Sequence, residues 1–359
     1  MRVLVAPDKF KGTLTAAQAA EAIARGCRDA GADVDVAPVA DGGEGTLEAL
    51  VAAAGGTIMG VIARGPLGLP VRAHIAQLRD GTGVVELSQA SGLRLVDERD
   101  RDPLRASTLG TGEMIKGALA RRPQRLLIAI GGSATVDGGT GLARALGVRF
   151  YDHEGKEVEP GGEGLERIAR IETKGLDARF GAIEVDVAAD VMAPLTGDHG
   201  AARMYGPQKG ASPQVVERLA RGLENLGEVV ERDLGVQVLD APGAGAAGGA
   251  GAMLLGLGAH IRSGADVVLD AMGFDERLKA ADLVITGEGR LDESTLDGKA
   301  PGAVARAAQR AGVPCVALVG SATIKPDLFA DVLALDESQP GNAASGLGVL
   351  AARLVSARR

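Results

Sequence analysis

The residues that decide the fold read MRVLVAPD, residues 1–8, a short apolar run that ends in proline and a carboxylate. This run predicts a buried β-strand that meets a turn. Outward from it, the sequence predicts a helix over 15–30, a strand over 34–39 and a helix over 44–54. Helical spacing of the apolar positions and a stop at Gly31 support the first helix. The β-α-β-α order is typical of a parallel α/β sheet.

The pattern changes in the middle of the chain and returns later. Short strand-like segments over 57–64, 71–78 and 83–87 are separated by glycine turns, which predicts a meander and not a crossover unit. Strand and helix alternate again from about residue 283, where LVIT reads as a buried strand. We therefore expect the two ends of the chain to share about five strands of one parallel sheet.

The predicted fold class is α/β, with two α/β domains, as suits a chain of 359 residues. Residues 1–56 and 262–359 would form one discontinuous domain around the parallel sheet, and residues 57–261 would form a domain inserted into it. Ligands of open α/β sheets bind beyond the carboxyl ends of the strands. We therefore expect the active site in the cleft between the two domains.

Composition and charge restrict the class of protein. Apolar residues make up 46% and aromatic residues 2%, so the cores should be packed with aliphatic side chains. A net charge of −8 and dispersed basic residues argue against nucleic acid and anionic membranes as partners. Cys27 and Cys315 do not form a disulfide scaffold or a metal site. The first residues lack a signal-peptide pattern, which predicts a cytoplasmic protein. The uncharged stretch 241–259 contains too many glycines for a membrane helix.

A glycine-acid signature recurs after three apolar runs. It reads DGGEGT at 41–46, GGSATVDGG at 131–139 and GEGRLD at 287–292. Glycine allows the backbone to approach a ligand closely and leaves N–H groups free for anions. Carboxylates beside such loops suit a metal ion or a hydroxyl that is to be deprotonated. The combination is typical of phosphoryl transfer.

Other candidate residues stand at strand ends or in turns. Lys9 and Lys11 follow the first strand and either hold an anionic substrate or belong to a solvated loop. Lys209 lies in a rigid turn just before a helix. Asp186 and Asp190 follow a strand-like run, and either could be a base, a metal ligand or a structural charge. No Walker loop, nucleophile elbow or histidine metal spacing occurs in the sequence.

A dinucleotide fingerprint supports a competing interpretation. GAGAAG at 243–248 follows a strand-like segment over 236–239 and precedes an apolar helix, with Asp266 further along. An NAD-dependent oxidoreductase of a small hydroxy acid is therefore the alternative function. In a chain with 54 glycines chance matches are common, and this motif lies late in the sequence. A non-catalytic binding protein is a third interpretation, against which the acidic loops argue.

Taken in order, the segments resemble the bacterial glycerate kinase family of the glycerate 2-kinase type. The segments that carry the resemblance are 6–14, 41–46, 106–113, 131–139, 194–197, 200–202, 206–211, 286–292, 295, 298–301 and 320–321. The resemblance implies a flavodoxin-like parallel-sheet domain from both chain ends and an inserted restriction-enzyme-like mixed-sheet domain. It also implies ATP- and Mg²⁺-dependent phosphorylation of D-glycerate to 2-phosphoglycerate. This chain departs from the family pattern at Val136, where the family has asparagine, and at 192–193, where the family has Asp-Asn and this chain has Met-Ala.

The resulting hypothesis is direct in-line phosphoryl transfer with assigned roles. Asp190 takes the proton of the glycerate hydroxyl, Lys209 or Lys9 neutralises the transferred charge, and Glu288 or Asp292 binds Mg²⁺. The predicted substrate- and phosphate-binding set is Asp8, Lys9, Lys11, Asp41, Gly42, Gly43, Glu44, Gly131, Gly132, Ser133, Asp137, Gly287, Gly289 and Lys299.

Overall fold

The computed structural model describes residues 1–10, 12–296, 299–335 and 343–358. The chain separates into two compact units. Unit 1 comprises Met1–Asp41, Glu48–Gly55 and the residues from Gly264 onward, and unit 2 comprises Gly42–Leu47 and Gly56–Ser263. The short segment Gly42–Leu47 therefore groups with the middle of the chain. The domain boundaries proposed above, at 56–57 and 261–262, stay a prediction.

The strands divide between a parallel sheet in unit 1, a mixed sheet in unit 2 and a small hairpin. This confirms the predicted α/β class with one parallel and one mixed sheet. The strands are β1 Arg2–Pro7, β2 Asp33–Val36, β3 Gly56–Arg64, β4 Pro70–Leu78, β5 Thr82–Glu86, β6 Arg125–Ala129, β7 Arg149–Tyr151, β8 Arg170–Glu172, β9 Glu184–Ala189, β10 His260–Ser263, β11 Leu283–Leu291, β12 Cys315–Ala322 and β13 Asp331–Ala334.

The helices range from one turn to about six. They are α1 Ala16–Asp29, α2 Thr46–Ala54, α3 Ser88–Ser91, α4 Leu109–Leu119, α5 Thr140–Ala145, α6 Ala201–Tyr205, α7 Pro213–Leu234, α8 Ala246–Gly256, α9 Gly264–Ala271, α10 Phe274–Leu278, α11 Ala300–Arg310 and α12 Ala343–Ala357. Thr15 begins α1 with a capping box, in which its side chain and that of Gln18 each accept a backbone N–H. In the described part of the chain, no helix is long and apolar enough to cross a membrane.

Unit 1 is built on a five-stranded sheet of order β13-β12-β11-β1-β2, in which all neighbours are parallel. From β1 the chain continues to β2 on one side, whereas from β11 it continues to β12 and β13 on the other side. The direction of the connections therefore reverses between the neighbours β1 and β11. In open α/β sheets, this topological switch point is where the strand ends diverge to form a ligand crevice.

Helices cover both faces of this sheet because successive strand residues point to opposite faces. One set of strand residues, including Val3, Val5 and Ile285, packs in a single core with α1 and α12. On the other face, α11 packs against β11 and β12 and also against α9. Residues on both faces are apolar, which explains why the strands read as continuous hydrophobic runs in the sequence.

Unit 2 is built on a six-stranded mixed sheet of order β10-β9-β6-β5-β4-β3. Strands β3, β4 and β5 are antiparallel neighbours, so the predicted meander is confirmed. Strands β5, β6, β9 and β10 are parallel, and their carboxyl ends therefore lie at one edge of the sheet. Residues Glu86, Ala129 and Ala189 end β5, β6 and β9 at this edge.

Three sequence-based predictions of strands were wrong in detail. The segment 236–239 is not a strand, because the N–H groups of Val238 and Leu239 donate to the Glu231 carboxylate and not to another strand. Strand β11 does not end before the glycine-acid segment, because its pairing with β12 continues to Leu291. Asp186 lies within β9 and not beyond its end, where it was expected.

Candidate active site

The first group of candidate residues lies in unit 1 and is called here the switch-point cluster. It comprises Asp8, Lys9, Asp41, Glu288, Asp292 and Lys299. Asp8 follows β1 directly, and Glu288 belongs to the neighbouring β11. The Asp8 N–H donates to the Gly287 carbonyl at 2.8 Å, which fixes the two strand ends to each other. Two acidic residues thus meet at the point where the sheet topology provides a crevice.

Asp8 is a buried carboxylate, with 5% of its surface exposed. Its Oδ1 accepts the N–H of Lys9 at 2.6 Å. Burial and, to a smaller extent, the negative charge of Asp41 together raise the pKa of Asp8 to about 7, although the Lys9 charge and N–H oppose the rise. Lys9 also forms an ion pair with Asp41, at 3.7 Å. A carboxyl group whose pKa lies near neutrality in a ligand crevice is typical of a functional residue.

Glu288 and Asp292 are connected through Thr295. The buried Thr295 hydroxyl donates to Glu288 Oε1 at 2.6 Å and accepts the Asp292 N–H at 3.2 Å. Lys299 Nζ lies 3.9 Å from Glu288 Oε2 and 3.6 Å from Asp292 Oδ1. Burial raises the pKa of Glu288, and the Thr295 hydroxyl and the Lys299 charge lower it. Thr295 therefore orients the Glu288 carboxylate and fixes the backbone of Asp292, the two residues that were predicted to bind metal.

The oxygen ligands in this cluster have the chemistry that Mg²⁺ requires. Within the described residues, no group of three or more His, Cys, Asp or Glu side chains converges as a metal site. Mg²⁺ in nucleotide sites, however, commonly takes one or two carboxylates together with phosphate oxygens and water. Glu288 and Asp292 supply two such carboxylates, and Asp8 lies close enough to Glu288 for their charges to interact. The residues present therefore fit this ion.

The second group lies in unit 2 and is called the buried-lysine cluster. It comprises Ser133, Thr135, Asp137, Asp190 and Lys209. Lys209 is only 3% exposed, and its ammonium donates to Ser133 Oγ at 2.7 Å and to the Thr135 carbonyl at 2.8 Å. Burial lowers the pKa of Lys209 to about 8, and the carboxylates of Asp137 and Asp190 oppose that effect. Below this pH the cluster contains a desolvated positive charge.

Asp137 is fully buried and organises the loop that carries Ser133. Its Oδ2 accepts the N–H and the hydroxyl of Thr108, at 2.8 and 2.9 Å, and the N–H of Gly141 at 3.2 Å. Its Oδ1 accepts the N–H of Gly139 at 3.2 Å. Burial raises the pKa of Asp137, and these four donors oppose the rise. Because protein donors occupy both oxygens, we propose that Asp137 shapes the loop and does not contact substrate.

Asp190 differs from Asp137 because it is exposed. It follows β9 directly, beside Gly131 at the end of β6. The Gly131 N–H donates to the Gly42 carbonyl at 3.1 Å, and a Cβ atom at Gly131 would lie 2.6 Å from Gly43 Cα and 2.9 Å from Asp190 Oδ2. Two of the glycine-acid loops and Asp190 therefore meet here, and only glycine allows this approach.

Glu86, at the end of β5, has a positioning role that the sequence did not indicate. It is fully buried, and its carboxylate accepts the N–H groups of Gly45 and Leu47, each at about 3.2 Å, as well as the hydroxyl of Ser88. Glu86 thus holds the loop that precedes α2 against the sheet edge of unit 2. A single glutamate after an apolar run was the only signal in the sequence.

The comparison with known proteins decides the family. The family model described as "Glycerate kinase family" matches residues 3–334. The chain belongs to the glycerate kinase family. A glycerate kinase of Bacillus subtilis (strain 168) is 47% identical over 325 residues, which cover 89% of this chain and 85% of that protein.

Other members of the glycerate kinase family agree with this assignment. A glycerate 2-kinase of Escherichia coli (strain K12) is 44% identical over 327 residues, 90% of this chain and 86% of that protein. A crystal structure of a candidate glycerate kinase 2 from Salmonella typhimurium LT2 superposes with a TM-score of 0.91 at 42% identity, and it covers 100% of this chain and 98% of that chain. The chain is therefore an enzyme.

The fingerprint at 243–248 has a packing role in this member of the glycerate kinase family. No strand precedes it, so the strand-turn-helix context of a dinucleotide site is missing in this described segment. Instead, the Gly138 N–H donates to the Gly248 carbonyl at 3.0 Å, and a Cβ atom at Gly248 would lie 2.0 Å from the Thr135 carbonyl. The dinucleotide interpretation of this motif was wrong because its glycines pack against the loop of Asp137.

The remaining predicted residues fall into the two units. Gly287 and Gly289 lie in β11 in unit 1, and Gly42, Gly43, Glu44 and Gly132 lie in unit 2. Glu44 forms an ion pair with Arg94. Lys11 lies outside the described residues. The roles assigned to the predicted site residues stay predictions.

Proposed function

We propose that this chain transfers the γ-phosphoryl group of ATP to D-glycerate and forms 2-phosphoglycerate, with Mg²⁺ as the metal ion. Membership of the glycerate kinase family supports the reaction class. The 44% identity to a protein named glycerate 2-kinase supports the position of the phosphate. The observation that carries the chemical proposal is the buried ammonium of Lys209 with the exposed carboxylate of Asp190 in the same cluster.

The Lys209 ammonium and the Asp190 carboxylate have the properties that a binding site for the phosphoryl acceptor, D-glycerate, needs. Asp190 is exposed at a strand end, so a substrate hydroxyl can reach it. Lys209 is held rigidly by two hydrogen bonds and shielded from water, which strengthens its interaction with developing negative charge. Because the pKa of Lys209 is lowered only to about 8, the ammonium is still charged at neutral pH.

In the proposed step, the hydroxyl oxygen of glycerate forms a bond to the γ-phosphorus while the bond to the β–γ bridging oxygen breaks. The hydroxyl proton passes to the Asp190 carboxylate, and ADP leaves with the electron pair of the broken bond. Lys209, with Ser133 at its ammonium, offsets the charge that builds on the transferred group.

The switch-point cluster would serve the nucleotide phosphates. Glu288, whose carboxylate accepts the Thr295 hydroxyl, and Asp292 would hold Mg²⁺, which when bound neutralises charge on the β- and γ-phosphates. Lys9 and Lys299 supply positive charge at the same strand ends. A crevice at a topological switch point is where nucleotides bind in other doubly wound sheets, which supports this division of roles.

The function is tested with the purified chain, ATP, Mg²⁺ and D-glycerate in a coupled assay for ADP. We expect ADP release that depends on D-glycerate, and ³¹P NMR of the product should show a phosphate on the secondary hydroxyl. Product with phosphate on the primary hydroxyl would contradict the 2-phosphoglycerate assignment alone. No glycerate-dependent ADP would contradict the function.

The base is tested with Asp190→Asn. Loss of general base catalysis should lower kcat by about 10²-fold or more. The matched control is Glu184→Gln, which changes an exposed carboxylate at the opposite end of the same strand and should leave kcat unchanged. Near-normal turnover by a folded Asp190→Asn protein would exclude Asp190 as the base.

A further inference from the structure

Arg101 contacts the turn that carries Lys209 on both sides of the lysine. The guanidinium Nη1 of Arg101 donates to the carbonyl of Gln208 at 3.0 Å. On the other side, the backbone of Arg101 packs against Gly210, where a Cβ atom would lie 2.6 Å from the Arg101 carbonyl oxygen. Arg101 therefore lies against the residue before Lys209 and the residue after it.

The turn is fixed at its start by the preceding helix, where the Gly206 N–H donates to the Ala202 carbonyl at 2.8 Å, and Arg101 is the contact at its far end. It is a single 3₁₀ turn, Pro207–Lys209, and it ends at Gly210 with a φ of 96°, which favours glycine. Lys209 has a long side chain with about 2 kcal/mol of rotamer entropy, so its ammonium reaches Ser133 and Thr135 reproducibly only if its backbone is held in place.

The segment that begins at Arg101 also holds the loop whose oxygens accept the hydrogen bonds of the Lys209 ammonium. Seven residues later, Thr108 donates its N–H and its hydroxyl to Asp137. Asp137 in turn organises the loop that presents Ser133 and the Thr135 carbonyl to Lys209. One segment therefore fixes both the turn with the lysine and the loop that receives it.

We propose that Arg101 is a positioning residue for phosphoryl transfer, which acts by holding the Lys209 turn so that the ammonium stays on Ser133 and Thr135. This proposal rests on the role given to Lys209 in the proposed function. Arg101 acts through Lys209 and does not contact the reacting atoms.

The surroundings of Arg101 allow a chemical test. Arg101 lines a cavity of about 670 Å³, together with Arg99, Arg105 and Gly210. Its Nε is buried and, among the described residues, has no hydrogen-bond partner. Truncation of the side chain would leave a space beside the Gln208 carbonyl that opens into this cavity, and free guanidinium has the shape and the donors to occupy it.

The test compares Arg101→Ala with Arg99→Ala. Arg99 lines the same cavity but its side chain is 83% exposed, so its variant controls for loss of charge. We expect Arg101→Ala to lower kcat by about 10²-fold with little change in the KM for D-glycerate, because a misplaced Lys209 weakens transition-state stabilisation. Guanidinium at non-denaturing concentration should restore at least a tenth of the lost kcat in Arg101→Ala and should not stimulate Arg99→Ala.

Two results in this assay would overturn the proposal. One is a kcat for Arg101→Ala equal to that of Arg99→Ala. The other is a lowered kcat that guanidinium does not restore, because that result indicates a general structural defect.

A spectroscopic measurement keeps the test independent of the proposed function. In protein labelled with ¹³C-lysine, the Cε resonance of Lys209, assigned with Lys209→Met, should titrate well below an ordinary lysine. Arg101→Ala should move that titration upward as water reaches the ammonium, which faces the carboxylates of Asp137 and Asp190. An unchanged titration would overturn the positioning role even if wild-type protein did not phosphorylate D-glycerate.

Discussion

The hydroxyl of Thr108 offers a sharp test of how the loop of Asp137 is held. Thr108 is fully buried in unit 2. Its Oγ1 donates to Asp137 Oδ2 at 2.9 Å and accepts the N–H of Leu142 at 2.9 Å. Leu142 lies in the first turn of α5, where its N–H has no partner within the helix. The substitution Thr108→Val keeps the shape of the side chain and removes both hydrogen bonds.

The expected loss of stability follows from the two hydrogen bonds of the Thr108 hydroxyl. A hydrogen bond to a buried carboxylate contributes about 1.5–3 kcal/mol, and an unsatisfied buried N–H costs about 1–3 kcal/mol. The extra buried methyl group of valine stabilises the folded state by less than about 1 kcal/mol. We therefore expect Thr108→Val to lower the free energy of unfolding by about 3 kcal/mol.

Urea unfolding followed by circular dichroism measures this change as a lower midpoint at an unchanged slope. The matched control is Thr108→Ser, which keeps the hydroxyl and should cost only about 1 kcal/mol for the lost methyl group. Hydrogen exchange should also be faster at the Leu142 amide in the valine variant. If Thr108→Val proves as stable as Thr108→Ser, the hydroxyl does not hold this loop and the reasoning is refuted.

Two further predictions concern Gly131 and Asp8. Gly131→Ala places a methyl group against Gly43 and Asp190 and should lower kcat by at least about tenfold, whereas Gly181→Ala, with open space at its Cβ position, should not. Between its ordinary pKa of 3.8 and the folded value of about 7, Asp8 holds a proton that the unfolded chain releases. The free energy of unfolding should therefore fall as the pH rises, by up to about 4 kcal/mol. Urea midpoints across this pH range should lose that slope in Asp8→Asn, and an equal slope in both proteins would contradict the assignment.

The parallel sheet of unit 1 was predictable because its information is local. Strands buried on both faces read as continuous apolar runs, and such a run at 3–6 and another at 283–286 were sufficient. The length of β11 was not predictable in the same way. Its glycine-acid segment reads as a turn, and only pairing with β12 keeps it extended to Leu291.

In the candidate site too, residues in local motifs could be predicted, whereas roles that depend on partners far away in the sequence could not. Glycine-acid loops and lysine turns stand out in the sequence, so Lys209 and Asp190 could be identified as candidates. The structural role of Asp137 could not be foreseen, because two of its donors come from Thr108 on a different segment. Glu86 was missed because its partners, Gly45 and Leu47, lie some forty residues earlier in the chain.

The pairing of β1 with β11 determines the order in which the two sheets can form during synthesis of the chain. Val3 in β1 pairs with Leu283 in β11, so β1 must wait for a strand that is synthesised much later. By the time Ser263 has emerged, every strand of the unit 2 sheet is available. Closure across so long a chain segment costs modest entropy but delays assembly. Until then β1 has β2 on one side and an open edge on the side of β11, the type of surface that chaperones protect in a nascent chain.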